Sequence, residues 1–491
     1  MLEPLSIPFD SLNIASIIPM LISFCGASVV LVAGIFAKAH KNFTALLCVL
    51  FLVANLLYLL QIPVHQEGFF ALVQLDGYAL IAQTIVLIGT LGFTLLTLTK
   101  ASFSEYHYPE FHALLLYIAA GLQFMVSTTH LMMMIIGLEC AALATYTLIA
   151  MHNRENAIEA AIKYFTQGAL ACALFCFGAA FLYFGTGELN LLRISERIAH
   201  SQILSDVIVL VGILLIFAAL AFKIALVPFH AWSPDMYEGA SAMMAGFVSI
   251  VPKIGAFVVT MRFFAVFLDA YGELQIALYT MAVLSMTLAN LLALVQTDAK
   301  RMLAYSSIAQ AGFGISAILI HTPESVNALF IYWIVFFVTN LGAFGMLYLA
   351  QPLRNPQDGK SDFAFERFAS LASTSPLTAV LIAIFMLSLS GVPPFALFWG
   401  KITLISAALQ ADFVVLAFIM AANSAIAAFY YLRLIVYCFF VPKSTYTLDG
   451  TCQNPSIPLK IVLVANAIIA TCSILWLQQL LDFVQHYTTL F

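Results

Sequence analysis

Charge is what this chain has least of. Of its 491 residues, 9% are Asp, Glu, Lys or Arg and 63% are hydrophobic, with a mean hydropathy of +1.02. Soluble domains carry about 25% charged and about 45–50% apolar residues, so a water-soluble globular fold is excluded. A net charge of −5 leaves no basic surface for nucleic acid. The eight cysteines show no Cys-x-x-Cys and no metal-ligand spacing. Cys25, Cys48, Cys140, Cys172, Cys176, Cys438 and Cys472 lie in apolar runs, and only Cys452 lies in a polar stretch. They read as small buried apolar side chains rather than disulfides or zinc ligands. Also missing are a GxGxxG or Walker loop, a Ser-His-Asp set and a carboxylate pair suited to hydrolysis. No histidines have haem or zinc spacing; His107 and His112 read as interfacial.

What the chain has is long apolar runs. A helix needs about 20 apolar residues to cross the hydrocarbon core. Fourteen runs qualify, near 13–37, 42–61, 79–100, 111–128, 130–151, 157–184, 206–232, 241–264, 275–296, 302–321, 325–350, 376–409, 413–440 and 458–486. The first has no charged leader or cleavage-type end, so it reads as a span rather than a signal peptide. The longest connections, near 186–205, 351–375 and 441–457, are too short for a folded extramembrane domain. With no polar/apolar alternation, a β-barrel is excluded. The expected fold is one all-α polytopic membrane unit of about fourteen transmembrane helices.

Lysine and arginine set the expected orientation. Loops on the side of the N-terminus hold Arg193, Arg197 and Arg262. The opposite loops hold Lys38, Lys41, Lys100, Arg154, Lys300, Arg301, Arg354, Lys360, Arg367, Lys443 and Lys460. The second side is therefore cytoplasmic and both termini are expected to face out. Five basic residues remain inside spans: Lys163, Lys223, Lys253, Lys401 and Arg433.

A charge at the bilayer centre costs roughly 2.5–3.5 kcal/mol on insertion scales, and such residues are usually functional. Glu139 is the one acid deep in a run, and Lys223, Lys253 and Lys401 are also near mid-depth. Lys163 is shallower. Burial favours the neutral amine, whereas a neighbouring carboxylate restores the ammonium, so a lysine held between these influences can switch between proton-loaded and empty states. Glu139 is the natural counter-charge, with Lys223 as its expected partner. A single acid cannot neutralise three lysines, which argues against static ion pairs alone. Arg433, beside Tyr430 and Tyr431, reads as snorkelling or structural.

Helix breakers stand beside these lysines. Phe222-Lys-Ile-Ala-Leu-Val-Pro-Phe-His-Ala-Trp232 interrupts the seventh span, and Ser390-Gly-Val-Pro-Pro-Phe-Ala-Leu-Phe-Trp-Gly-Lys401 the twelfth. An interior proline removes a helical hydrogen bond, which membrane proteins tolerate where the freed carbonyls line a polar cavity. The Val-Pro-Phe likeness, five spans apart, implies an inverted repeat with a site at its broken helices. The expected organisation is three N-terminal helices (1–110), a first five-helix repeat (111–264), a second (265–440) and a last helix (441–491). Pro252 is expected to disturb the eighth span beside Lys253. His230, two residues past Pro228, could relay a proton. The equipment is for moving charge, without a visible redox centre.

The stretch Phe222-Lys-Ile-Ala-Leu-Val-Pro-Phe-His-Ala-Trp-Ser-Pro-Asp-Met-Tyr-Glu-Gly-Ala240 resembles the signature of the antiporter-like subunits of proton-pumping NADH:quinone oxidoreductase, respiratory complex I. Lys253-Ile-Gly-Ala-Phe257 and Thr297-Asp-Ala-Lys-Arg-Met-Leu-Ala-Tyr-Ser-Ser-Ile-Ala-Gln-Ala-Gly-Phe313 are similar to it too. The resemblance implies fourteen spans, an inverted five-helix repeat and proton translocation coupled to quinone reduction elsewhere. Flavin, iron–sulfur clusters and quinone would belong to other subunits, with no cofactor in this chain. Partners would be other membrane-arm subunits, paralogous antiporter-like ones among them, and the lipid bilayer. Sodium/proton antiporters and membrane-bound hydrogenases share the core and supply the alternative function. The end after span fourteen, Gly400-Lys401 and the 362–376 loop are most similar to one of the three paralogous branches. Carried over, Glu139 and Lys223 would be the loading ion pair, Lys253 the central relay and Lys401 the outward release site. His230 and Lys163 would connect the path.

Overall fold

A helix that is apolar on every side has no face to offer water, so it is stable only inside a bilayer or a protein core. The computed structural model describes residues 12–36, 41–64, 66–98, 106, 108–200, 207–268, 271–350, 361–443 and 457–488. Lys38, Lys100, His107, Arg354, Lys360 and Cys452, and the side chain of Lys41, lie outside them.

The helices run α1 (Ile18–Phe36), α2 (Lys41–Leu59), α3 (Gly77–Thr97), α4 (Pro109–Val126), α5 (Leu131–Ala150) and α6 (Glu155–Thr186). A short antiparallel hairpin, β1 (Gln66–Gly68) and β2 (Val73–Leu75), precedes α3. After α6 come α7 (Leu191–His200), α8 (Val207–Ile224), α9 (Trp232–Gly239), α10 (Ala242–Phe267), α11 (Gly272–Leu294), α12 (Ala299–Ile320) and α13 (Pro323–Ala350). Then follow α14 (Leu371–Thr374), α15 (Pro376–Ser390), α16 (Ala396–Gln410), α17 (Val414–Phe440), α18 (Ile457–Thr471) and α19 (Ser473–Thr488). Local chemistry sets several starts. Asp76, Ser241 and Asp298 accept hydrogen bonds from Ala79 N, Met244 N and Arg301 N at 2.8, 3.3 and 2.8 Å as N-caps.

Twelve helices among the described residues are long and apolar enough to cross a membrane: α1–α6, α8, α10–α13 and α17. The other two expected runs are not single helices. The run 376–409 is divided into α15 and α16, each of 15 residues. At 1.5 Å per residue, 15 residues reach about 22 Å, short of the roughly 30 Å hydrocarbon core. The run 458–486 bends by 77° between α18 and α19. The seventh run also ends early, at Ile224, and resumes as the eight-residue α9. Pro252, by contrast, does not break its span: α10 runs through it for 26 residues. Packing around it is dense: in the apolar stretches of α10 and α12 94% of the residues are buried, and in that of α13 89%. These three helices are the most deeply buried of the spans.

Close helix contact depends on small residues. A Cβ on Gly121 would come within 2.7 Å of the Gly137 carbonyl oxygen, and one on Gly137 within 2.6 Å of that of Gly121, so α4 and α5 meet backbone to backbone. The loop between α6 and α8 holds an amphipathic helix that the apolar runs did not reveal. Leu191, Ile194 and Ile198 of α7 point inward, while Arg193 and Arg197 approach Glu188. Cys48 and Cys438 are buried as expected, but Cys25, Cys176 and Cys472 are on outward faces.

Three basic residues assigned to loops are buried. Arg262 lies within α10, its Nη2 2.6 Å from Asp76 and 3.2 Å from the Val126 carbonyl. Arg367 donates to the Ser361 carbonyl at 2.7 Å, and Lys300 lies in the first turn of α12. Asp76 therefore both caps α3 and neutralises Arg262. Asp76→Ala would leave a buried guanidinium unpaired and should destabilise the fold by about 3–5 kcal/mol. Adding Arg262→Met should recover part of the loss, read as the thermal denaturation midpoint of the detergent-solubilised protein.

Candidate functional site

Each broken span leaves carbonyls without helical partners, and neighbouring side chains supply donors. At the first break, Ala225 is left-handed (φ 64°) and the Val227–Pro228 peptide is cis. Trp232 Nε1 donates to the Phe222 carbonyl at 3.1 Å, and Val227 N donates to Ser285 Oγ of α11 at 3.0 Å. At the second break, Gly391 is left-handed (φ 82°) and Pro393–Pro394 is cis. Here the donor is the lysine itself. Lys401 Nζ bonds the Leu389 and Ser390 carbonyls at 3.2 and 3.1 Å, and Ser424 Oγ of α17 at 3.0 Å. A Cβ on Gly391 would come within 2.9 Å of Lys401 Cδ, so glycine is required both by its backbone angle and by the lysine stem.

Lys223 is in the last turn of α8, and its Nζ lies 3.4 Å from Glu139 Oε1 of α5 and 3.5 Å from the Tyr146 hydroxyl. Tyr146 meets Tyr164 edge-on at 4.6 Å, and Tyr164 stacks on Trp232 at 4.2 Å. One aromatic column thus fixes both the pair and the break. Between Lys223 and Pro252 is a cavity of about 30 Å³, lined by Thr145, Tyr164 and apolar side chains. It has room for about one or two waters.

Lys253 has no carboxylate partner among the described residues. Its Nζ donates to Ser307 Oγ of α12 at 2.7 Å and to the Ser307 carbonyl at 3.3 Å. The Tyr237 hydroxyl of α9 is 3.2 Å from the same Ser307 Oγ. The adjacent Ser306 hydrogen-bonds the Tyr431 hydroxyl, Gln310 Nε2 donates to Tyr431 at 3.4 Å, and Gln310 Oε1 accepts from Tyr332. Lys401 Nζ lies 5.6 Å from the centre of the Phe313 ring on the same helix α12. Along α12, Gln310 and its partners Tyr332 of α13 and Tyr431 of α17 therefore lie between Ser307, which meets Lys253, and Phe313, which meets Lys401.

Glu139 and Lys223 are brought together, and Lys253 and Lys401 are buried as the sequence suggested. Lys163 and His230 stand apart. Lys163 pairs with Glu159 and Asp235, both at 2.8 Å, at a vestibule of about 200 Å³ lined also by Asn156, Glu238 and Gly239. His230 is half-buried in the turn between α8 and α9, against the Pro228 backbone, with no hydrogen bond to either Lys223 or Lys253. Arg433 has the structural role expected of it: Nη1 donates to the Leu294 and Gln296 carbonyls at 3.1 Å each, closing the end of α11. Sequence reasoning missed Ser306, Ser307, Gln310, Tyr237, Tyr332, Tyr431 and Ser424. A signal was present for three of them: Ser306, Ser307 and Gln310 are a polar cluster in an otherwise apolar span. Ser285→Ala should strand the Val227 N–H and destabilise the fold by about 1–3 kcal/mol, measurable as a lower denaturation midpoint without removal of an ionisable group.

Residues 128–427, more than half of the chain, match the family described as NADH:quinone oxidoreductase/Mrp antiporter, TM. The chain is 43% identical over 490 residues to NADH-quinone oxidoreductase subunit N of Sulfurovum sp. (strain NBC37-1), covering 99% of each chain. It is 44% identical over 501 residues to the subunit N of Sulfurimonas denitrificans, covering 99% of this chain and 98% of that one. Among solved structures, a chain of respiratory complex I from Thermus thermophilus with bound aureothin superposes with a TM-score of 0.79 at 30% identity, over 94% of this chain and 98% of that one. Subunit N is the branch to which Gly400-Lys401 and the 362–376 loop pointed.

Proposed function

This chain belongs to the antiporter-like membrane subunits of NADH:quinone oxidoreductase, in the subunit N group, and from that premise we propose that it carries protons across the membrane through Glu139, Lys223, Lys253 and Lys401. The observation that carries the proposal is the setting of the three lysines. Lys223 has a carboxylate 3.4 Å away, while Lys253 and Lys401 are held by neutral oxygens alone, at 2.7–3.3 Å. The first lysine thus has a counter-charge that favours its ammonium form against the effect of burial. The other two can receive a proton and pass it on, because only neutral acceptors hold them.

Quinone reduction elsewhere in the complex would alter the field at Glu139. Separating the Glu139–Lys223 pair removes the interaction that keeps Lys223 charged, so its proton moves inward, by way of the cavity beside Pro252, toward Lys253. From there the Ser307, Ser306, Tyr431 and Gln310 cluster leads toward Lys401, which releases the proton to the outer side. The Asp76–Arg262 pair lies nine residues, two and a half turns, beyond Lys253 on α10, where it would close the direct way out. This favours exit past Lys401. Lys163 would act at the vestibule and His230 at the first break, as connecting groups. The basic loops would face the cytoplasm and both termini the periplasm of a bacterial inner membrane, with 111–264 and 265–440 as the inverted repeats. Flavin, iron–sulfur clusters and quinone would reside in partner subunits, with none in this chain.

Lys223→Ala and Glu139→Ala are expected to assemble yet to lose much of the proton translocation coupled to quinone reduction. Protons moved per electron in proteoliposomes of the intact complex test this, and an unchanged ratio in both variants would overturn the mechanism.

A further inference from the structure

Outside the four groups above, a further lysine is deeply buried and has no part in the relay. Lys300, the second residue of α12, is only 5% exposed. Its Nζ donates to the Ala240 carbonyl at 2.7 Å and lies 4.7 Å from the centre of the Phe363 ring. The nearby carboxylates have other donors. Asp298 accepts from Arg301 N at 2.8 Å and from Ser361, and Asp362 pairs with Arg154 at 2.9 Å. No carboxylate pairs with Lys300 among the described residues.

Its position matters more than its burial. Ala240 directly follows Glu238 and Gly239, which line the roughly 200 Å³ vestibule on the basic-loop side. On α12, Lys300 and Ser307 are seven residues apart, two turns along one helix face. Ser307 Oγ accepts the Lys253 ammonium at 2.7 Å and meets the Tyr237 hydroxyl at 3.2 Å. The seam between α9 and α12 thus has the vestibule at one end, Lys300 just inside it, and Tyr237, Ser307 and Lys253 beyond. Arg301 holds the same seam from the neighbouring face, with Nη1 3.3 Å from Asp235 and bonded to Glu238.

We infer that Lys300 is a proton-loading residue for Lys253: it takes protons from the cytoplasmic vestibule and delivers them along the α9–α12 seam through Tyr237 and Ser307. This rests on the proton-relay reading above and adds to it a second supply to Lys253, independent of the Glu139–Lys223 pair. No covalent bond other than N–H or O–H is made or broken. A proton leaves the Lys300 ammonium for the hydroxyl chain, and the neutral amine is recharged from water in the vestibule.

The competing role is a structural one, in which Lys300 merely caps α9. An arginine would keep that role, because it remains charged and donates to a carbonyl, but it cannot give up its proton. A histidine can. The test uses the intact complex in proteoliposomes, with protons moved per electron measured for Lys300→Arg, Lys300→His and Lys300→Met. Lys253→Met serves as the control for the underlying relay. Lys300→Arg should assemble and reduce quinone but lose the part of this subunit's proton-to-electron share that the Lys300 supply carries. Lys300→His should retain part of it, and Lys300→Met should behave as Arg does. Full pumping by Lys300→Arg, or a loss in Lys300→His equal to that in Arg, would overturn the inference and leave the lysine as a cap. If Met does not assemble, Arg and His decide. Unchanged pumping in Lys253→Met would instead overturn the relay itself.

Discussion

A carbonyl freed inside a bilayer must find a donor, and the functional parts of this protein are organised around that constraint. Two helices break at proline, and each break exposes the end of a helix in a medium without water. The first is closed by an indole and by a serine of a neighbouring helix. The second is closed by Lys401, whose ammonium bonds the last two carbonyls of α15. At that point the solution to a structural problem is also the ionisable group, so the site and the fold cannot be separated there.

The same constraint explains why only one of the three mid-depth lysines has an acid beside it. A buried ion pair is costly to desolvate and hard to reverse. Carbonyls and hydroxyls hold an ammonium less firmly, and they offer an oxygen to which a proton can pass. Lys223, with its carboxylate and two aromatic neighbours, is the restrained member of the set. Among the described residues, Lys253 and Lys401 are coordinated by neutral oxygens alone, and a polar cluster on α12 and α17 lies between them. α12 is central to this arrangement: it is almost wholly buried, and it presents Lys300, Ser307, Ser306 and Gln310 to four neighbours, α9, α10, α13 and α17.

Much was legible in the sequence because membrane folding is governed by simple quantities. Apolar length located the crossing segments, and the expense of a charge in hydrocarbon singled out Glu139, Lys223, Lys253 and Lys401. Proline placed the two breaks. It misled at Pro252, where tight packing of α10 in the centre lets the helix continue, and at 458–486, where composition gave no hint of a 77° bend. Arg262, Arg367 and Lys300 misled in the opposite sense. They lie close to span ends, where a count of charges places them in loops and burial depends on what folds back over them.

By itself, then, the sequence determined that this is an all-helical membrane protein with interrupted spans and a small set of mid-depth ionisable groups. Those properties follow from length and hydropathy, which are local. The tertiary structure brought Glu139 to Lys223 as expected, and it alone decided which oxygens Lys253, Lys300 and Lys401 meet. Glu139 and Lys223 are 84 residues apart, Lys253 and Ser307 are 54 apart, and Lys300 reaches Ala240 across 60. Proton affinity depends on contacts over a few ångströms, and the packing of helices distant in sequence is what brings those contacts about.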